Sequence, residues 1–172
     1  MRRPFPIFLL TALVLLTVAC SHRDNVSYKD GVKKALEQAE LQDVSVSEDQ
    51  EKNTITLGGK VHSDDAKAKA AEVAQAAAGT RIIANEISVQ PIGAESEAKD
   101  VASNLDDAIE KNYKAALIAS GLERQNLSFK AKNGVLSLTG SVHNVNQRQQ
   151  AEKLAAGIPN VQQVLNQIEV RR

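Results

Sequence analysis

The chain has 172 residues, with 21 Lys and Arg against 21 Asp and Glu and a formal charge of zero, so its overall composition carries no strong field for an anionic or cationic partner. Aromatic residues make up 3% with no Trp, and beyond residue 19 only Tyr28, Tyr113 and Phe129 remain; that is too few for a base-stacking platform and argues against single-stranded nucleic-acid binding. One Cys excludes an intrachain disulfide and a multi-cysteine zinc site.

Residues 1–19 read as a signal peptide. Arg2 and Arg3 form a short basic start, and the apolar run Ile7 to Leu16 has the length of a signal h-region, too short for a comfortable membrane span. Cys20 follows Thr17-Val18-Ala19. This resembles the bacterial lipobox, with Thr17 where that motif usually carries Leu. Cys20 is thus expected to be the lipidated first residue of a mature chain, 20–172. Buried acyl chains contribute ~0.8 kcal/mol per CH₂, enough for several to hold a soluble domain on a bilayer. Ser21 resembles an outer-membrane address, which places the expected anchor there, facing the periplasm.

The remainder is one unit written twice. An offset of 81 residues lays Leu36, Leu41 and Leu57 on Leu117, Leu122 and Leu138, and Gly59-Lys60-Val61-His62 on Gly140-Ser141-Val142-His143. Such a repeat outranks any argument from length. The modules are expected at 28–90 and 103–172, joined by a polar linker at 91–102 that contains Pro91 and Gly93.

In chain order, Val32, Ala35, Leu36 and Ala39 predict a first helix, and Leu105, Ile109, Ala116 and Leu117 its copy, with Ser103 as N-cap, Asp106 closing a capping box and Gly121 at the end. Val44 and Val46, then Ile55, Leu57, Gly59 and Val61, alternate as two strands. Leu127 and Phe129, then Leu136, Leu138, Gly140 and Val142, repeat them across an Asn133-Gly134 hairpin signal. A second helix starts at cap Ser63 (copy Asn144), carries Ala70 and Ala74 (copies Ala151 and Ala155), and ends at Gly79 (copy Gly157). A last strand holds Ile83, Ile87 and Val89, copied as Val164, Ile168 and Val170. The expected fold is α+β: two tandem modules, each helix–strand–strand–helix–strand, with two helices on one face of a three-stranded mixed sheet. A module of about 65 residues buries only ~60% of its surface, so packing the copies together would help both.

Gly59-x-Val61 with Ile83-Ala84-Asn85-Glu86-Ile87-Ser88-Val89, and Gly140-x-Val142 with Val164-Leu165-Asn166-Gln167-Ile168-Glu169-Val170, resemble the BON domain family over nearly the whole mature chain. The resemblance implies an envelope protein that binds phospholipid and supports envelope integrity, with no catalytic residues and no cofactor. It further implies that the first helix of the second module meets anionic phospholipid, which falls here on Lys111, Tyr113 and Lys114. The alternative reading is a protein-interaction adaptor of an envelope assembly, touching membrane only through its lipid anchor.

The polar residues point the same way. His62 and His143 occupy equivalent strand–helix junctions and lack a ligand set around them, so they read as locally bonded rather than metal-binding. Asp64-Asp65 sit where a helix dipole favours acid, and their copies are Val145-Asn146, so a catalytic pair is not expected. Gly58-Gly59 lacks the lysine and spacing of a phosphate loop. Gly59 and Gly140 are expected to let the alanine-faced helix approach the sheet. Asn85 and Asn166 share parity with the inward aliphatics and are expected to tie their strand to a loop or helix end. No enzymatic constellation is recognisable. Charge is unevenly divided, with 8 Lys and Arg against 11 Asp and Glu in 28–90 (−3) and 9 against 6 in 103–172 (+3). Lys111, Lys114, Arg124, Lys130, Lys132, Arg171 and Arg172 could turn the second module toward an anionic surface, at up to ~1 kcal/mol each near charged lipid.

Overall fold

The computed structural model describes residues 27–171, so the expected signal peptide, Cys20 and Arg172 lie outside the described residues. The first module runs α1 (Lys29–Gln38), β1 (Val44–Asp49), β2 (Thr54–Val61), α2 (Asp64–Ala77), β3 (Ile82–Asn85) and β4 (Ser88–Val89). The second repeats it as α3 (Glu95–Ala119), β5 (Asn126–Lys132), β6 (Val135–Val142), α4 (Val145–Ala156), β7 (Gln163–Asn166) and β8 (Glu169–Val170). β1 and β2 form an antiparallel hairpin, and β3 and β4 both run parallel to β2, giving a mixed sheet; β5 to β8 reproduce it. This is the expected α+β layout.

The predicted last strand is broken in two. Asn85 Oδ1 accepts from the Ile87 N–H at 3.4 Å and Asn166 Oδ1 from the Ile168 N–H at 3.1 Å, a local turn that interrupts the strand before it resumes. The same side chains reach the second helix of their module. Asn85 Nδ2 donates to the Lys67 carbonyl on α2 at 3.0 Å, and Asn166 Nδ2 to the Glu152 carboxylate on α4 at 2.8 Å. Both are half-buried rather than fully enclosed.

Gly59 and Gly140 take φ of 91° and 102°, and a Cβ on either would overlap the carbonyl oxygen of Asp43 or Asn126 on the neighbouring chain segment. The expectation that they admit a helix is therefore corrected. What crowds them is the backbone at the strand edge, and the left-handed φ selects glycine independently. The helices approach the sheets through alanine instead, since Ala70, Ala74, Ala151 and Ala155 are each 0% exposed. Ser63 and Asn144 cap α2 and α4, accepting from the Ala66 and Gln147 N–H. The Asn133-Gly134 turn has positive φ at both residues, 49° and 83°, as a two-residue hairpin turn between Lys132 and Val135 requires.

The helix of the second module departs from the prediction. α3 begins at Glu95, so Ser103 lies inside it, and most of the segment read as linker is its first two turns. Glu95 to Ala102 is rich in good helix formers, with Glu95 and Glu97 at the positive end of the dipole. Asp106 has a different task from the expected capping box: its two carboxylate oxygens accept the Asn133 and Gly134 N–H at 2.7 and 3.0 Å, fixing the hairpin turn.

Each module has its own core, centred on Val32, Leu36, Ile55, Leu57 and Ile87 in one and on Ile109, Tyr113, Leu136, Leu138 and Ile168 in the other. A third, small cluster of Ala84, Val135 and Leu165 joins them. Around it the joint is polar. The Gln163 amide reaches the outer edge of β3, donating to the Ile83 carbonyl at 2.6 Å and accepting the Asn85 N–H at 3.2 Å. Lys67 Nζ donates to the Asn133 carbonyl and Gln162 Oε1, Asn133 Nδ2 to the Glu86 carbonyl, and Lys132 pairs with Glu86 at 3.0 Å.

Candidate binding surface on the second module

α3 presents one face to the core and one to solvent. Ile109, Tyr113 and Leu117, at helical spacing, are buried, and the opposite arc carries Asp107, Lys111, Lys114 and Ile118 in the open. Lys111 and Lys114 stand one turn apart and are exposed, and no ion pair holds either among the described residues. Ile118, 56% exposed, continues the same arc toward the helix end.

Tyr113 does not belong to this surface. It is 1% exposed, its ring meets Phe129 edge-on at 5.0 Å, and its hydroxyl donates to the Ala151 carbonyl on α4 at 3.2 Å. Burial pushes its phenol up to about 12. The family resemblance places it among lipid contacts with Lys111 and Lys114; the helical period turns it inward.

Most other cations of the module are engaged. Lys130 pairs with Glu110 at 3.0 Å, Lys132 with Glu86 across the joint, Arg171 with Glu169 at 2.7 Å, and Arg124 with Glu123 at 3.9 Å. Glu110 also accepts the Ala131 N–H of β5 at 2.9 Å. Burial would raise its carboxyl, but that N–H and the Lys130 ammonium outweigh it and hold the group below its usual range. Lys67, half-buried in the joint, is shifted down by burial, against the pull of Asp64 and Asp106. Apart from Lys99 near its start, the charge left for an external anion on α3 is therefore the Lys111–Lys114 pair.

The remaining candidates have local roles. His62 Nδ1 lies 2.9 Å from the Gln90 carbonyl, the His143 N–H donates to Gln147 Oε1 at 3.0 Å, and both histidines are exposed. Asp64 and Asp65 open α2. No group of three or more His, Cys, Asp or Glu among the described residues could hold a metal ion. No helix among them is long and apolar enough to cross a membrane.

Sequence reasoning missed two features. One is the joint, carried by Lys67, Asn133 and Gln163. The other is a groove of about 350 Å³ between α3 and α4, lined by Ala116, Gln150, Lys153, Leu154, Gly157 and Ile158. A usable signal existed in both cases, because several of these positions differ between the two copies.

Among solved structures the chain is similar to the C-terminal domain of CdsD, a structural protein of the type III secretion system of Chlamydia trachomatis, at 14% identity and a TM-score of 0.35, over 81% of this chain and 62% of that one. A second CdsD structure gives 14% and 0.35 over 84% and 61%. The chain thus spans about three fifths of each, and at that TM-score the likeness carries no argument. Comparison with curated proteins finds no match. The BON domain model matches residues 27–91 and again 105–172, the two modules seen in the fold. Over most of its length, and twice over, the chain belongs to the BON domain family.

Proposed function

We propose that this is a non-catalytic, lipid-anchored protein of the bacterial envelope, held at the outer membrane through Cys20, whose second module binds anionic phospholipid head groups. The observation that carries the reading is the Lys111–Lys114 pair, exposed and without an ion pair among the described residues, on the solvent face of α3 in the +3 module. Each ammonium near charged lipid contributes up to ~1 kcal/mol, so the pair alone gives weak, salt-sensitive adhesion. An anchor that already holds the protein at a bilayer makes weak adhesion sufficient, since the second contact is intramolecular. BON domains as a family fit an envelope location, and the signal peptide and lipobox resemblance fit the anchor.

All described elements lie within 27–171, so residues 21–172 retain the whole fold. That soluble form is expected to co-sediment with phosphatidylglycerol vesicles at low salt, weakly or not at all with phosphatidylcholine vesicles, and to be released by salt. Lys111→Glu with Lys114→Glu is expected to reduce the binding severalfold. Absence of binding at low salt would overturn the head-group reading and leave a protein-interaction adaptor anchored by its lipid. Acylation and membrane retention of a Cys20→Ser chain would overturn the anchor.

A further inference from the structure

The two modules can be laid on one another residue by residue, and the α3–α4 groove is a place where they part. In the first module Val32 sits beneath the helix pair; its counterpart is Tyr113, whose bulk and hydroxyl bond to Ala151 stand between α3 and α4. α1 accordingly packs along more of α2 than α3 does along α4. In the first module Lys69 spans the helices, its ammonium donating to the Ala39 carbonyl at 3.3 Å. The counterparts are Gln150 and Ser120, and Ser120 turns its hydroxyl to Leu117 on its own helix. Glu72 of the first module becomes Lys153, a reversal of charge on the groove wall. Small residues at Ala116 and Gly157 keep the space open, and Leu154 and Ile158 give it apolar walls.

The chemistry of an occupant follows from that lining. It has an apolar portion for Ala116, Leu154 and Ile158, and a negative group for Lys153. No acid competes freely on α4, since its Glu152 accepts from Asn166. Both helices point their C-terminal ends toward the groove, so no helix N-terminus serves the anion and the positive charge must come from the Lys153 side chain. Between Lys111 and Ala116 on the wheel of the last two turns of α3 lie Asn112, Ala115 and Ala119, all exposed and two of them alanine. A bilayer reached by Lys111 therefore meets Asn112 as the one side chain larger than alanine in these turns before the groove.

We propose that the α3–α4 groove receives an acyl chain of an anionic phospholipid, with Lys153 at its head group, a second contact that rests on the phospholipid reading and deepens it. The first module, with its helices bridged by Lys69 and Glu72 in place of Lys153, does not share the site.

The test follows the methyl NMR signals of Leu154, Ile158 and Ala116 in residues 21–172 while dihexanoyl phosphatidylglycerol is added below its micelle concentration. Saturable shifts confined to these residues are expected. Ala116→Leu, and separately Gly157→Leu, should weaken that binding about tenfold, equivalent to ~1.4 kcal/mol. Gly157 has ordinary φ, and a Cβ there meets its nearest neighbour at 3.5 Å, so one of the two blocking variants is expected to fold if the other does not. Lys111→Glu with Lys114→Glu should reduce vesicle binding while leaving the groove shifts in place. Vesicle binding without shifts in the groove, or shifts indifferent to both blocking variants, would overturn the groove and leave the head-group reading standing. Failure of vesicles and monomeric lipid alike would overturn both. Equal shifts with phosphatidylcholine would remove Lys153 from the site, and shifts with free laurate but not with phospholipid would overturn the phospholipid assignment.

Discussion

Glu48 performs a task in the first module that the second has no need of. α1 starts abruptly at Lys29 with no side-chain cap from Tyr28, and Glu48 on β1 supplies one, accepting the Tyr28 and Lys29 N–H at 3.1 and 3.3 Å together with the Ser27 hydroxyl. Arg81 pairs with it at 3.2 Å and lies over the Tyr28 ring, and the Glu48 side chain is only 4% exposed. At the matching position the second module has Phe129, because α3 continues for several turns before that point and leaves no N–H groups there to satisfy. Burial would raise the Glu48 carboxyl, but the Ser27, Tyr28 and Lys29 bonds and the Arg81 charge outweigh it and hold it below its ordinary 4.5. A depressed carboxyl stabilises the fold fully above that ordinary value and loses its contribution as pH falls through the folded-state value. Glu48→Gln, which keeps the side chain's size but removes its charge, is expected to cost about 2 kcal/mol at pH 7. Urea unfolding at pH 7 and again at pH 3 should show the gap between wild type and variant closing. A gap that persists at pH 3 would mean that the carboxylate charge is not what stabilises the helix start.

At the scale of elements, the strands and the alanine-faced helices were legible because alternation and 3.6-residue spacing report which side of an element is buried. Three things were not. The start of α3 was hidden because Ser103 looks like a cap, whereas the helix propensity of Glu95 to Ala102 carries the helix past it. The break before β4 and β8 was hidden because Asn85 and Asn166 keep strand parity while their side chains make the turn. The family resemblance puts Tyr113 among surface contacts, whereas its place on the helix, in line with Ile109 and Leu117, turns it to the core. Gly140 is crowded by the Asn126 backbone at the strand edge and not by a helix. Gly140→Ala should destabilise by at least about 2 kcal/mol, the sum of a left-handed φ and an overlap with the Asn126 carbonyl. Tyr113→Phe, which removes only the bond to Ala151, should cost about 1 kcal/mol. Thermal unfolding of the two variants ranks them; equal costs would mean that β5 moves aside to admit the methyl group.

For the whole molecule, the repeat announced two modules, but nothing in one copy alone could announce how they meet. The joint has a core of three residues, Ala84, Val135 and Leu165, and is otherwise made of hydrogen bonds and one ion pair. Such an interface resembles those between mobile domains more than an obligate core. Gln163→Ala with Lys132→Ala should loosen it without unfolding either module, each lost bond being worth about 1 kcal/mol. The Asn85 amide, which donates to Gln163, reports this directly. Its hydrogen exchange should rise about tenfold in the double variant while amides inside β2 and β6 stay protected. Exchange rising equally throughout would show that the joint contributes to the stability of the modules themselves.

The side chain that closes the joint is present in one copy alone. Where the second module carries Gln163, the first has Ile82, 46% exposed and with no amide to offer. Where like surfaces of two copies meet, the contact closes on itself and leaves neither copy's surface free for a third. The outer edges of β3 and β7 face one another here, with Ala84 of one clustered with its counterpart Leu165 of the other. The pair is thus self-limiting, a closed dimer of domains within one polypeptide, and neither β3 nor β7 keeps an open edge on which a neighbouring chain at a crowded membrane surface could add a strand.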